Sequence, residues 1–441
     1  MIVDIVYIFI SAVLIAVSCK NIISSVNERR IEIVFKYTFL LAITFVHFVI
    51  PLLQKNVSYY RYQSGYNDYT YLYSLSYSLA FLVVYLLLSH FLLKKDNIIE
   101  GGVHSSINSK SSEQFLIVFF ITVFVPAAFV MLSNMKDIVS LGDEYMSNRI
   151  SHGAGRGALV LFPQFAPFFL LMFFSYIVFH FNNLSRLKVT LLTSLWLIFC
   201  GFSVFYYIKT GSRNTVFILL VNIAFIYFLA RRISRRNLIL IFLFLALLVV
   251  SFSHLGMLRK KELGYEDIES VPFSMMMMQG VNGAFGNDEN ILWMMENGVR
   301  EYSYGISYIA APLNFVPRVL WPGKPLGGGP RLVEQIYPGS YQVGKEGVSS
   351  LTTGIVAESY LNFSWLGIFL IPTLFLFLVR LLFSLMSKIS TTHEYALVIY
   401  LMVALSVSIT QAEFLGLFTR VVFILSVYFI IRFLIKFLSK V

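Results

Sequence analysis

Long apolar runs separated by short polar breaks dominate the chain. Runs of roughly 17–25 residues match the hydrocarbon thickness of a bilayer. Eleven such runs stand out, at about 2–18, 31–53, 72–93, 115–133, 158–180, 189–208, 214–230, 238–254, 358–383, 395–412 and 416–438. In lipid each must be a helix, because no water is present to satisfy backbone N–H and C=O groups. The pattern predicts an all-α, polytopic integral membrane protein with about eleven transmembrane helices, in a range of about ten to twelve. The first run carries Asp4 near its start, lacks a basic leader and has no small-residue cleavage site. It reads as a span rather than a removable signal peptide.

One stretch breaks the rhythm. Residues 255–357 are too long for a tight connection, so the chain divides into 1–254 with eight spans, a large loop at 255–357, and 358–441 with three spans. The first part of the loop, 255–301, holds four basic and eight acidic residues, and 302–353 holds four basic and two acidic. Six of the twelve prolines lie between Pro312 and Pro338, around Gly327, Gly328 and Gly329. A long irregular segment of this kind is more often functional than a spacer. Within it Met275–Met295 is weakly apolar and interrupted by Gly and Asn, which suits a short interfacial or re-entrant helix. Met275–Met278 read as adaptable apolar contacts.

Composition agrees with the pattern. Of 441 residues 58% are hydrophobic and 13% charged, about half the charge of a soluble domain. The net charge of +11 comes from 34 basic and 23 acidic residues. The basic residues lie in short clusters between apolar runs, which argues against nucleic-acid binding. Cys19 and Cys200 are too far apart and too few for a disulfide framework or a zinc spacing, and no HExxH, Walker A or GxGxxG motif is present. The loops after helices 1, 3, 5, 7 and 9 and the C-terminal tail, counted with Arg380, Arg432 and Lys436 at the adjoining helix ends, hold 17 Lys and Arg, and the short loops after helices 2, 4, 6 and 10 hold 7. The positive-inside rule puts the first set in the cytoplasm, the N-terminus outside and the large loop outside.

Several polar groups then fall on the outer side. Lys209-Thr210-Gly211-Ser212-Arg213 joins two spans. Thr210 or Ser212 can cap the next helix, Gly211 permits a tight turn, and Arg213 offers a planar fork where a helix N-terminus meets an anionic head group. The same Lys209 and Arg213 fit interfacial anchors. Asn314-Phe315-Val316-Pro317-Arg318 and Trp321-Pro322-Gly323-Lys324-Pro325, followed by Arg331, form a proline-stiffened basic cluster, or else a solvated loop with rim charges. Glu358 and Asn362 are four residues apart and share a helix face at the membrane boundary. There Glu358 fits a general base, and equally a helix-dipole partner or an ion pair. Glu413 and Arg420 flank the last turn, and Arg420 lies inside an apolar run, where an arginine must be paired or face a cavity. Eight tyrosines between Tyr59 and Tyr77 fit an interfacial belt better than sugar stacking.

With these motifs in place, the chain resembles the Wzy-type O-antigen and capsular polysaccharide polymerases of bacterial inner membranes. The likeness rests on many spans with one large late loop, the Gly211-Ser212-Arg213 turn, Val316-Pro317-Arg318 with Trp321-Pro322-Gly323-Lys324-Pro325, and Glu358-Ser359-Tyr360-Leu361-Asn362-Phe363 leading into a span. The resemblance implies a metal-independent membrane glycosyltransferase that needs no cofactor and faces the periplasm. A glycan on undecaprenyl pyrophosphate is transferred to the non-reducing end of a new lipid-linked repeat, and undecaprenyl pyrophosphate leaves. The roles that follow are catalytic for Arg213, Arg318 and Glu358. Pyrophosphate or glycan binding falls to Gly211, Ser212, Lys324, Arg331, Asn362 and Arg420. Implied partners are lipid-linked oligosaccharides, membrane lipids, a chain-length regulator and a flippase, with no nucleic acid. An O-antigen ligase shares this architecture, but ligases place a functional histidine in the large loop, and 255–353 holds none. A flippase or transporter predicts mid-membrane charges and paired repeats, neither of which stands out.

Overall fold

The computed structural model describes residues 2–28, 30–93, 109–141, 162–210, 212–230, 272–341, 351–385 and 389–438. Among them there is helix and no strand. In chain order the helices are α1 (Ile2–Asn27), α2 (Ile31–Val57), α3 (Asp68–Leu92), α4 (Ser109–Lys136), α5 (Phe165–His180), α6 (Arg186–Lys209) and α7 (Arg213–Ala230). After them come α8 (Phe273–Phe285), α9 (Asp288–Asn297), α10 (Ile306–Leu313), α11 (Gly328–Ile336), α12 (Gly354–Phe363), α13 (Gly367–Leu385), α14 (Thr392–Ser406) and α15 (Phe414–Leu438).

Nine described helical stretches are long and apolar enough to cross a membrane. The chain is an all-α polytopic membrane protein. Asn214–Ala230 is a shorter apolar helix at the seventh predicted span. The eighth, 238–254, lies outside the described residues. Exposed apolar side chains on α6 recur at helical spacing, with Leu187, Leu191, Leu195, Ile198 and Phe205 open. Such a stripe matches acyl chains, because lipid is as apolar as leucine.

Three departures from the predicted helices affect the interior. The run 358–383 forms two helices instead of one. Ser364 turns left-handed at φ 50°, a short 3₁₀ turn covers Ser364–Leu366, and α12 ends there. Residues 354–362 are wholly buried, so this stretch faces protein, and its polar side chains find protein partners. Secondly, Met275–Met295 is split at Gly286-Asn287 into α8 and α9. Thirdly, π turns at Phe45–Val49 and Phe120–Phe124 interrupt α2 and α4.

The chain forms two compact units. Unit 1 comprises Met1–Asp96, Ile233–Leu382 and Ala404–Thr419, and unit 2 comprises Asn97–Arg232, Phe383–Val403 and Arg420–Val441. In unit 1 α1 packs along α2, α9 packs against α3, and α8 packs against the end of α2. Phe39 stacks on Phe375 at 5.1 Å and meets Tyr85 at 4.3 Å. In unit 2 α5 is the centre and packs on α4, α6 and α7. Its phenylalanines pack on those of α4, with Phe124 and Phe169 at 4.2 Å.

Candidate functional site

Unit 1 gathers a dense polar interior around Glu358. This side chain is fully buried, and an ionised carboxylate there needs several donors. Ser307 Oγ donates to Oε1 at 2.8 Å. Thr353 Oγ1 and the Phe414 N–H donate to Oε2 at 3.0 and 2.9 Å. Phe414 opens α15, so Glu358 also meets the positive end of that helix. The carboxylate thus joins α10, the chain before α12 and the start of α15. Asn362 lies one turn on, as the i, i+4 spacing predicts. Its Nδ2 donates to Ser307 Oγ and to the Glu358 carbonyl, both at 2.8 Å, and its Oδ1 accepts the Gly305 N–H at 3.0 Å.

The glycine run fits this arrangement. A Cβ on Gly328 would lie 2.7 Å from Glu358 Cδ, so only glycine lets the backbone reach the carboxylate. One residue on, the Gly329 N–H at the start of α11 donates to Glu413 Oε2 at 2.7 Å. Two helix N-termini, those of α15 and α11, therefore each hold a glutamate from a distant segment. Burial pushes the Glu413 carboxyl above the usual glutamate range, and the Gly329 N–H opposes the shift.

The basic loop lies beside this pair. Asn314 Nδ2 donates to Thr419 Oγ1 at 3.2 Å, which ties the loop to α15. Arg331 Nε donates to the Leu326 carbonyl and Nη1 to Ser303 Oγ, both at 3.4 Å, and the Ser303 N–H reaches the Leu361 carbonyl at 3.0 Å. Lys324 is committed to its own loop, in contrast to a cation presented outward. Its Nζ donates to the carbonyls of Asn314 and Val316 at 3.0 and 2.9 Å, and to Asn314 Oδ1 at 3.3 Å. Burial, helped by nearby Arg318, lowers its pKa. Arg318 Nη1 donates to the Pro322 and Lys324 carbonyls at 3.3 and 3.4 Å. The loop so braced displays Val319, Leu320 and Trp321, of which Val319 is 91% exposed.

A second buried cluster, absent from the sequence reading, sits at the start of α9. Asp288, Glu289 and Asn290 are fully buried. Asp288 Oδ1 lies 2.8 Å from His47 Nδ1, in the π turn of α2, and accepts from Ser74 Oγ at 3.3 Å. Glu289 Oε1 accepts the N–H groups of Arg61 and Tyr62 at 2.6 and 3.1 Å and the Tyr66 hydroxyl at 3.3 Å. Asn290 accepts from the Tyr62 hydroxyl and donates to the Thr352 carbonyl, both at 2.8 Å. Burial raises the pKa of Asp288 and of Glu289 against these donors, and pushes Tyr62 up to about 12. The available signal was an Asn-Asp-Glu-Asn run set between Met275–Met278 and Ile291-Leu292. Tyr62 and Tyr66 are thus anchors of this cluster, whereas Tyr69 and Tyr73 are exposed as a belt requires.

The remaining candidates belong to unit 2. Gly211 and the Arg213 side chain lie outside the described residues. The Ser212 N–H donates to the Tyr207 carbonyl at 2.8 Å, and the Ser212 carbonyl accepts the Thr215 N–H at 3.0 Å. Thr210 Oγ1 donates back to the Tyr206 carbonyl at 3.0 Å. Arg420 lies close enough to Tyr207 and Tyr400 to act on them electrostatically, and its Nε is buried without a hydrogen-bond partner among the described residues. In comparisons with known proteins the chain matches no family model, no curated protein and no solved structure.

Proposed function

We propose that this chain polymerises undecaprenyl-pyrophosphate-linked oligosaccharide repeat units into O-antigen or capsular polysaccharide, at the periplasmic face of the inner membrane. One observation supports this most. The segment from Ser303 to Arg331 folds onto Glu358, Asn362 and Glu413, so that arginines, carboxylates and bare glycine backbone share one region of unit 1. A pyrophosphate leaving group gathers negative charge as its bond breaks, and fixed guanidinium groups stabilise it without a metal. Arg318 and Arg331 fill this role, and both retain N–H groups beyond those that brace the loop. Glu358 and Asn362 hold the region together. Arg213, with Gly211 and Ser212, and Arg420 enter on the resemblance alone, as do a chain-length regulator and a flippase as partners.

The test is deletion of the gene in its native host, with lipopolysaccharide examined on a gel. The expected outcome is core plus a single repeat unit, with the long ladder lost, and Arg318→Ala reproducing that pattern at normal protein level. Loss of every repeat, including the single one, points to a ligase or flippase and overturns the proposal. An unchanged ladder together with unchanged capsular polysaccharide overturns it too.

A further inference from the structure

The glycine turn at Gly327–Gly329 touches two carboxylates, and they are not equivalent. Glu358 has both oxygens occupied by the donors of Ser307, Thr353 and Phe414, and it is closed off from solvent. Glu413 is only half-buried. Its Oε2 is anchored by the Gly329 N–H at 2.7 Å. Its Oε1 has no hydrogen-bond partner among the described residues. Gly416, the residue whose Cβ would lie 3.9 Å from Oε1, carries no side chain to cover it. One fixed oxygen and one open oxygen is the geometry a base needs to take a hydrogen bond from a hydroxyl.

We propose that Glu413, and not Glu358, is the catalytic base of glycosyl transfer, with Oε1 receiving the acceptor sugar's hydroxyl; this rests on the polymerase reading above. In the step, the hydroxyl proton passes to Oε1. The freed oxygen pair bonds to the anomeric carbon of the lipid-linked donor. The bond from that carbon to the pyrophosphate oxygen breaks, and its electron pair leaves with undecaprenyl pyrophosphate. Configuration at the anomeric carbon inverts. Glu358 is then a positioning residue, which holds the glycine turn and the start of α15 so that Glu413 keeps Oε2 on the Gly329 N–H. Burial above the usual carboxylate range makes Glu413 a stronger proton acceptor than an exposed glutamate.

The experiment uses full-length protein in lipid nanodiscs with a synthetic undecaprenyl-pyrophosphate-linked repeat, and reads elongation on a gel. Wild-type protein elongates. Glu413→Gln keeps an oxygen for the Gly329 N–H, melts near the wild-type temperature, binds the lipid-linked repeat and elongates at least about 100-fold more slowly. Glu413→Ala is similarly slow, and added formate, a small carboxylate that can occupy the space left, raises its rate by about tenfold or more. A merely structural glutamate would not respond to formate. Wild-type elongation by Glu413→Gln, or Glu413→Ala that formate does not rescue, overturns the assignment and leaves the polymerase reading standing. A wild-type protein that never elongates the repeat overturns the polymerase reading itself, and the assignment with it.

Discussion

The interiors of the two units handle buried charge in opposite ways. In unit 2 the carboxylate of Glu394 is satisfied locally. It accepts the Ser390 and Thr391 N–H groups at 2.7 and 3.1 Å, and its own N–H reaches Thr391 Oγ1 at 3.4 Å. This is a capping box at the start of α14, a device for one helix end, supplemented by Arg432 at 3.0 Å. In unit 1 the buried carboxylates reach across the chain. Glu358 binds partners 51 and 56 residues away, Glu413 one 84 away, and Asp288 one 241 away. A local cap ends a helix, whereas a long-range carboxylate sets the position of several segments at once. Unit 2 is instead filled by aromatic packing around Phe119, Phe124, Phe168 and Phe169. Chemistry that needs fixed polar groups therefore has its scaffold in unit 1.

The largest expected effect comes from removing the long-range carboxylate. Glu358→Ala leaves three buried donors unpaired, for a loss of about 3–5 kcal/mol, whereas Glu394→Ala costs about 1 kcal/mol as a lost cap. Equilibrium unfolding in mixed micelles measures both, and equal losses would erase the contrast between the units. Next comes the aromatic interior. Phe169→Ala removes a ring packed on Phe124, at a cost of ~3 kcal/mol. Binding of a lipid-linked repeat should persist in this variant, since Arg318, Arg331 and Glu413 belong to unit 1. The smallest effect is on pH dependence. Asp288, Glu289 and Glu413 are all held above the usual carboxylate range. The folded chain then binds protons more tightly than the unfolded chain. These groups favour folding most at or below the unfolded pKa of about 4, and less as pH rises through their folded values. Melting curves from pH ~4 upward should slope down with pH, and Glu413→Gln should reduce the slope.

The membrane spans were legible because lipid imposes a simple rule, a helix wherever an apolar run is long enough. The Glu358–Asn362 face was legible too, since i, i+4 spacing is a local property. What escaped depends on contacts distant in sequence. Asp288 and Glu289 looked like loop charges until Arg61, Tyr62 and His47 closed on them. Lys324 looked like an outward cation, and only folding showed the Asn314 and Val316 carbonyls that hold it. The break at Ser364 is marked only by Gly367 three residues on, where a Cβ would lie 2.6 Å from the Ser359 carbonyl oxygen, a contact visible only in the fold. The π turns do share a local mark that the apolar pattern hides: each is followed two residues on by a proline, Pro51 or Pro126, which lacks the N–H of a regular α turn.

The π turn at Phe45–Val49 has a consequence for how this chain tolerates change in length. A π turn accommodates one residue more than the α-helical turn it replaces. Deleting a single residue within it returns α2 to regular geometry while Phe35 and Phe39 on one side, and Gln54 on the other, keep their faces. A deletion elsewhere in the helix would rotate everything beyond it by about 100°. The span can thus lose a residue at this one place and remain a span, but His47 would no longer meet Asp288.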